Sequence, residues 1–312
     1  MSASENTARP RLVIITGPTG VGKTAVALAL AGEFRAEIVS ADSMQVYRYL
    51  DIGTAKPTTA ERHLIPHHLL NCVNPDEDFH AARFLVLADR VIADRWHRGK
   101  NIFVVGGTGL YLRALLGGLL PGPGPDGELR EHYRELARRR GREYLYGLLK
   151  SRDAAAAQSI AANDTVRIIR ALEYLEATGR SITAGQAAHR FGESRYPALR
   201  IALGAEREEL FARIERRAEA MIAAGLVEET RAVLDRGYSE RLKPLQSLGY
   251  KHICRHLRGD CSLDEARELM IRDTRHYAKR QLTWFRKEKD LIWLRREETG
   301  RMATLIGEFL ND

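Results

Sequence analysis

Cysteine is scarce in this sequence. The 312 residues include three, Cys72, Cys254 and Cys261, which form no CxxC pair and no even set. A disulfide framework or a zinc finger is therefore not expected, and the three read as reduced, buried or incidental thiols. No apolar run approaches the roughly 20 residues that a membrane-spanning helix requires. None precedes the first apolar segment between Met1 and Arg11 either, so a signal peptide is not expected and the compartment reads as cytosolic. There is no internal repeat and no low-complexity tract. Acidic residues do not balance the basic ones: 41 against 49 leave a formal charge of +8. That sign suits a polyanionic partner, although it equally suits a surface that is basic for solubility alone.

Apolar residues make up 44% and charged residues 29% of the chain, the proportions of a folded protein with a sizeable core. Residues 12–16 (LVIIT) read as a buried strand running into Gly17, and 23–32 as a helix. A second strand at 37–41 ends on Asp42, a helix covers about 81–98, and a third strand at 101–105 ends on Gly106-Gly107. Strands alternating with helices predict an α/β fold, a P-loop-like core whose parallel sheet is flanked by helices. In such sheets ligands bind beyond the carboxyl ends of the strands, where Thr16–Thr24, Asp42–Gln45 and Gly106–Gly109 all fall.

The texture changes at 120–127 (LPGPGPDG), whose prolines and glycines forbid a regular element. A charged helical stretch at 128–150 follows, then a helix over 165–178 and a polar segment to Pro197. We read 121–197 as an inserted helical lobe, with 1–120 and 198–312 as the core. A short strand at 199–203 returns to the sheet, and helices dominate from there to the end. Ser262 and Glu265 form a capping-box pattern at the start of a long helix. That helix carries Arg272, Arg275, Lys279 and Arg286 at spacings that put them on one face.

The strongest local signal is GPTGVGKT, comprising Gly17, Pro18, Thr19, Gly20, Val21, Gly22, Lys23 and Thr24. It matches the phosphate-binding pattern G-x-x-x-x-G-K-[ST] in its proper place between a strand and a helix. Its glycines let successive N–H groups turn into one concavity at the positive end of the helix. Lys23 adds a point charge, and Thr24 a hydroxyl for Mg²⁺. The phosphate chain held there belongs to ATP or to another ligand; the motif does not discriminate. Asp42 has two readings, a Mg²⁺ partner through water or a base that takes a proton from a nucleophile. Thr108 stands at the mouth of the third strand among glycines that allow a ligand close to the backbone. His67 and His68 are adjacent, so they point apart and suit packing or loop hydrogen bonding better than metal binding.

These stretches together resemble the tRNA dimethylallyltransferases, also called tRNA isopentenyltransferases. The matching segments are GPTGVGKT, SADSMQVYRYLDIGTAKPT (40–58), PHHLL (66–70), GGTGLYLRALL (106–116), VRIIRALE (166–173), LGYK (248–251) and YAKRQLTWFRK (277–287). They run in order over nearly the whole chain. The P-loop alone is shared with many enzymes, whereas DIGTAKP and KRQLTWFRK beside it are specific.

The resemblance implies transfer of a C5 allylic group from dimethylallyl diphosphate to N6 of adenosine 37, beside the anticodon of tRNAs that read codons beginning with U. Gly17–Thr24 would then hold the diphosphate rather than ATP, with Mg²⁺ assisting at Thr24. Asp42 would be the general base, and Thr108 and Lys23 would join it in catalysis. The resemblance places tRNA contacts at Asp42, Ser43, Met44, Gln45, Thr108 and Arg130, and at Val166, Arg167, Ile168, Ile169 and Arg170. It adds Gln246, Ser247, Leu248, Gly249, Tyr250 and Lys251, then Lys279, Arg280, Gln281, Leu282, Thr283, Trp284, Phe285 and Arg286. It implies a monomer with no membrane association and no obligate protein partner. One departure is Ala161-Ala162 before Asn163-Asp164, where many members carry His-Pro; an altered helix start in the lobe is expected there. Eukaryotic members often add a C-terminal zinc finger, so this sequence looks more like the bacterial ones.

Overall fold

Five apolar or β-branched residues in succession, Leu12–Thr16, form β1, and all five are buried. The computed structural model describes residues 9–120, 122, 124, 126–189 and 194–311. The irregular stretches expected at 1–11, 120–127 and 178–197 therefore fall partly outside the described residues. The remaining strands are β2 (Ala36–Ser40), β3 (His67–His68), β4 (Asn101–Val105), β5 (Ala198–Gly204) and β6 (Ile292–Arg295). They form one sheet in the order β3-β2-β4-β1-β5-β6, with every pairing parallel. Parallel neighbours require crossovers, which helices Lys23–Glu33 and Ala81–His97 help to supply.

Both faces of the sheet are covered. Leu12 and Ile14 of β1 pack into a core with Tyr47, Phe84, Tyr111 and Phe285. Val13 and Ile15 pack into a second core with Val26, Leu30, Leu210 and Met302. Burial on both sides is why the strand reads as a continuous apolar run and not as an alternation. Two strands escape the sequence reading. β3 is two residues long, too short to show a period, and β6 is four residues set in a charged stretch. Helices dominate after β5 as expected, and β6 is added among them, pairing parallel with β5. The capping box at Ser262 and Glu265 is present and opens helix Leu263–Phe285. His67 and His68 bond separately, to the Ile65 carbonyl and to Glu37.

The chain divides into two compact units, one drawn from Met1–Leu116 with Arg195–Asp312 and containing the sheet, the other Gly117–Ser194. Among the described residues of the second the regular elements are helices: Gly127–Arg140, Arg142–Arg152, Ala154–Ser159, Thr165–Thr178 and Ile182–His189. Tyr133, Leu145, Leu149, Ile168 and Leu172 form its centre. Aspartates at 126, 153 and 164 each accept a backbone N–H at a helix start, the reason these helices begin where they do. Among the described residues no helix is long and apolar enough to cross a membrane.

Candidate active site

β1 ends on Thr16, whose hydroxyl donates to the Gly106 carbonyl at 2.8 Å and joins the ends of β1 and β4. The chain then turns through Gly17, Gly20 and Gly22 at φ of 138°, 80° and 102°, a region that favours glycine. Gly22 caps helix Lys23–Glu33 without a side chain. The backbone N–H groups of Gly20, Gly22, Lys23 and Thr24 have no acceptor among the described residues. They make a concavity of donors at a helix N-terminus, suited to an anion. Lys23 Nζ donates to the Gly17 and Pro18 carbonyls at 2.9 and 2.8 Å. Burial pulls its pKa down to about 8, against the pull of Asp42 and with the help of Arg217.

Asp42 follows β2 in a tight turn. Its Oδ1 accepts from the N–H groups of Met44 and Gln45 at 2.8 and 3.3 Å. The carboxylate is thereby oriented while Oδ2 keeps its capacity to accept. Thr108 is held beside it, since the Ser43 N–H donates to Thr108 Oγ1 at 3.1 Å and the Thr108 N–H donates to the Ala41 carbonyl. With its lone pair engaged, the hydroxyl retains a hydrogen to donate. Gln281 completes the tie. Its Oε1 accepts from the Thr19 N–H and its Nε2 donates to the Gly107 carbonyl, each at 2.8 Å. Gly106 and Gly107 are glycines because Ala41 and Gln281 occupy the space their side chains would need.

Thr19 of the P-loop and the Asp42 turn open on a cavity of about 360 Å³, whose lining does not include Lys23 or Thr108. Its walls include Thr19, Asp42, Ser43, Met44, Gly53 and Thr54, together with Gln246–Gly249 and Lys251. Helix Arg207–Ala223 contributes Ile214, Arg217, Ala218 and Met221, and helix Leu263–Phe285 contributes Met270, Thr274, Tyr277 and Arg280. Arg217 and Tyr277 are lining residues that sequence reasoning missed. Burial lowers the Arg217 pKa, and Asp42 is the charge that opposes this. Burial pushes the Tyr277 phenol up to about 12, with Asp42 adding to it. Arg217 lies in RIERRAEA, an ordinary charged helical stretch, so no local signal separates it from a solvated arginine.

The structure separates the residues expected to touch RNA. Val166, Arg167, Gln246, Lys279, Arg280, Thr283 and Arg286 are exposed. Ile168, Ile169, Tyr250 and Phe285 are core residues, and Gln281 is buried between two loops, so their side chains are placed for packing and bridging. Leu282 is half-buried and packs on the core. The Trp284 ring lies against Gly109 on one contact and under the Arg113 guanidinium at 4.3 Å on another. Gln45 is committed to the carbonyls of Thr54 and Ala55. Lys251 is paired with Asp273 at 2.6 Å and Ser247 bonds the Pro244 carbonyl. Arg130 is held in a forked contact by Glu173, which is 1% exposed and also takes Arg170. Its charge is thereby fixed inside the helical unit.

A divalent cation would find few protein ligands. Among the described residues no cluster of three or more His, Cys, Asp or Glu could hold one. The Thr24 hydroxyl on the first helical turn is the candidate.

Two family models match, IPP transferase over residues 45–288 and isopentenyl transferase over 10–67. A tRNA dimethylallyltransferase 2 of Syntrophus aciditrophicus is 51% identical over 302 residues, 97% of each chain. The tRNA dimethylallyltransferase of Geobacter metallireducens is 50% identical over 298 residues, 96% of each. Among solved structures, the tRNA isopentenylpyrophosphate transferase of Bacillus halodurans superposes with a TM-score of 0.73 at 36% identity, covering 97% of both chains. A eukaryotic dimethylallyltransferase described as acting on tRNA superposes with a TM-score of 0.79 at 28% identity, covering 91% of this chain and 73% of its own. With a family model spanning most of its length and relatives half-identical from end to end, this chain belongs to the IPP transferase family.

Proposed function

We propose that the protein transfers a dimethylallyl group from dimethylallyl diphosphate to N6 of adenosine 37, beside the anticodon of tRNAs that read codons beginning with U. The observation that carries this reading is that Arg217 and Asp42 line one cavity and both act electrostatically on Lys23 of the P-loop, a grip for diphosphate beside a carboxylate. The N6 amine is a poor nucleophile because its lone pair is delocalised into the ring. The carbon–oxygen bond of the donor breaks as the carbon–N6 bond forms. Diphosphate leaves with the bonding electron pair, and the displaced N6 proton passes to Asp42 Oδ2.

The P-loop N–H groups, Lys23 and Arg217 stabilise the charge that grows on the leaving oxygen. Mg²⁺ bound at Thr24 would add Lewis-acid stabilisation of that diphosphate. Thr108 positions the Ser43 side of the turn and offers its hydroxyl to the acceptor base. The base must leave the stacked anticodon loop to reach the cavity, at a cost of about a few kcal/mol that contacts to the splayed loop offset. The exposed Lys279, Arg280 and Arg286 suit the RNA backbone, and so does Arg167 of the helical unit.

The test is to incubate the protein with Mg²⁺, radiolabelled dimethylallyl diphosphate and either bulk tRNA or AMP. Label on the adenosine beside the anticodon is the expected result. Label in AMP alone would reassign the acceptor to free nucleotides, and label in neither with ATP turnover instead would overturn the proposal. Asp42→Ala should keep diphosphate binding and lose about 10²–10⁴-fold in turnover.

A further inference from the structure

The DIGTAKP stretch is more than a marker of resemblance, because its first three residues form a second concavity of backbone donors. Glu229, on helix Leu226–Asp235, reaches into it. Its Oε2 accepts from the N–H groups of Asp51 and Ile52, both at 2.9 Å. Its Oε1 accepts from those of Ile52 and Gly53 at 3.1 and 3.2 Å, and from the Tyr250 hydroxyl. The Gly53 N–H donates to that same hydroxyl at 3.1 Å. A side chain at Gly53 would run into the Tyr250 ring.

One carboxylate therefore fastens two separate pieces of chain, and each leads directly into the cavity wall. Gly53 and Thr54 line it on one, and Gln246–Gly249, immediately before Tyr250, line it on the other. Two more clamps hold the first piece: the Gln45 amide on Thr54 and Ala55, and Lys56 Nζ on Asp51 and Asn71 at 2.8 and 2.7 Å. These stretches are not an anion site of their own. The N–H groups are already engaged by Glu229, and Lys251 nearby is paired with Asp273. The phosphate donors lie with the P-loop, so this part of the wall is left for the acceptor.

We propose that Glu229 is a positioning residue, setting the spacing between Gly53–Thr54 and Gln246–Gly249 so that the cavity receives the acceptor base in line with the donor. The inference rests on the acceptor being tRNA, as proposed above. Burial and the neighbouring Glu229 charge both push the Tyr250 phenol far up, so it stays a donor to the carboxylate throughout the working range.

The experiment compares wild type, Glu229→Ala and the near-isosteric Glu229→Gln for kcat and KM toward tRNA and toward dimethylallyl diphosphate, with the Kd for inorganic diphosphate and the Tm alongside. A displaced wall should cost about 10²-fold in kcat/KM for tRNA in Glu229→Ala. Glu229→Gln keeps one acceptor oxygen and should recover most of that, to within about tenfold of wild type. The Kd for inorganic diphosphate should stay within about twofold of wild type in both, because no P-loop group touches Glu229. Wild-type kcat/KM for tRNA in both variants would overturn the proposal. So would equal losses toward tRNA and diphosphate in step with a lowered Tm, the signature of general destabilisation. An inactive wild type on tRNA would sink the proposed function and this inference together, whereas an active wild type with unaffected variants sinks this inference alone.

Discussion

Gly17–Thr24 and Asp51–Gly53 are both loops with several backbone N–H groups outside the helix and strand ladders, and the chain treats them oppositely. The second is closed by its own Glu229. The first keeps the N–H groups of Gly20, Gly22, Lys23 and Thr24 without an acceptor among the described residues and sets two cations, Lys23 and Arg217, beside them. A concavity closed by the protein's own anion is architecture; one flanked by the protein's own cations is suited to an anionic ligand. Loop geometry thus serves stiffness in one place and fits the proposed recognition in the other, and the neighbouring charge makes the difference.

The comparison breaks most sharply at Lys23. Lys23→Gln should lower turnover by about 10²–10³-fold with an unchanged Tm, since a preorganised donor to the leaving group is lost and little packing with it. Activity near wild type would mean that the open loop is not a working grip. On the closed side, Gly53→Ala should lower stability by about 1–3 kcal/mol, read as an earlier urea midpoint, because the added methyl overlaps the Tyr250 ring. A neutral outcome would show that the two pieces are less tightly joined than Glu229 implies.

The pH dependence sharpens the open side. On the proposed function, binding uses the Lys23 ammonium, whose pKa is lowered by burial to about 8. Below that pH the charge is already present and affinity for dimethylallyl diphosphate should be flat on this account. Above it, each pH unit should weaken binding by about tenfold, as a proton must be taken up on association. Titration calorimetry across pH 7–9 checks this at roughly tenfold per unit, and Lys23→Gln should remove the slope. The smallest effect is expected at Thr58, whose hydroxyl caps helix Thr59–Leu64 just past the closed loop. Thr58→Ala should cost about 1 kcal/mol in denaturant melts and leave turnover alone.

Elements long enough to show a period were legible from residues alone. β1, β2 and β4 announce themselves as apolar runs ending in glycine or aspartate, and the Ser262–Glu265 box marks its helix within a residue. β3 and β6 did not, because two and four residues cannot display an alternation. The candidate site is legible where chemistry and loop coincide, at Lys23, Asp42 and Thr108. It is not legible at Arg217 and Tyr277, which sit on ordinary helices and reach the cavity only through tertiary packing, or at Glu229, which acts behind the cavity wall. Runs of motif residues misled in a specific way. Successive helical residues turn by about 100°, so an unbroken stretch such as Val166–Arg170 or Lys279–Arg286 cannot present all its members to one partner. Ile168, Ile169, Gln281 and Phe285 are the members that turn inward.

Gln281 has a consequence for how sequences of this fold can drift. Its amide sits where a side chain at position 107 would be, and it holds the backbones of Thr19 and Gly107 at once. A residue larger than glycine at 107 evicts the amide, and an amide lost at 281 leaves two loops untied with nothing gained from glycine. Positions 174 residues apart in the chain are therefore coupled, and a change at either one alone is expected to cost the tie between their loops.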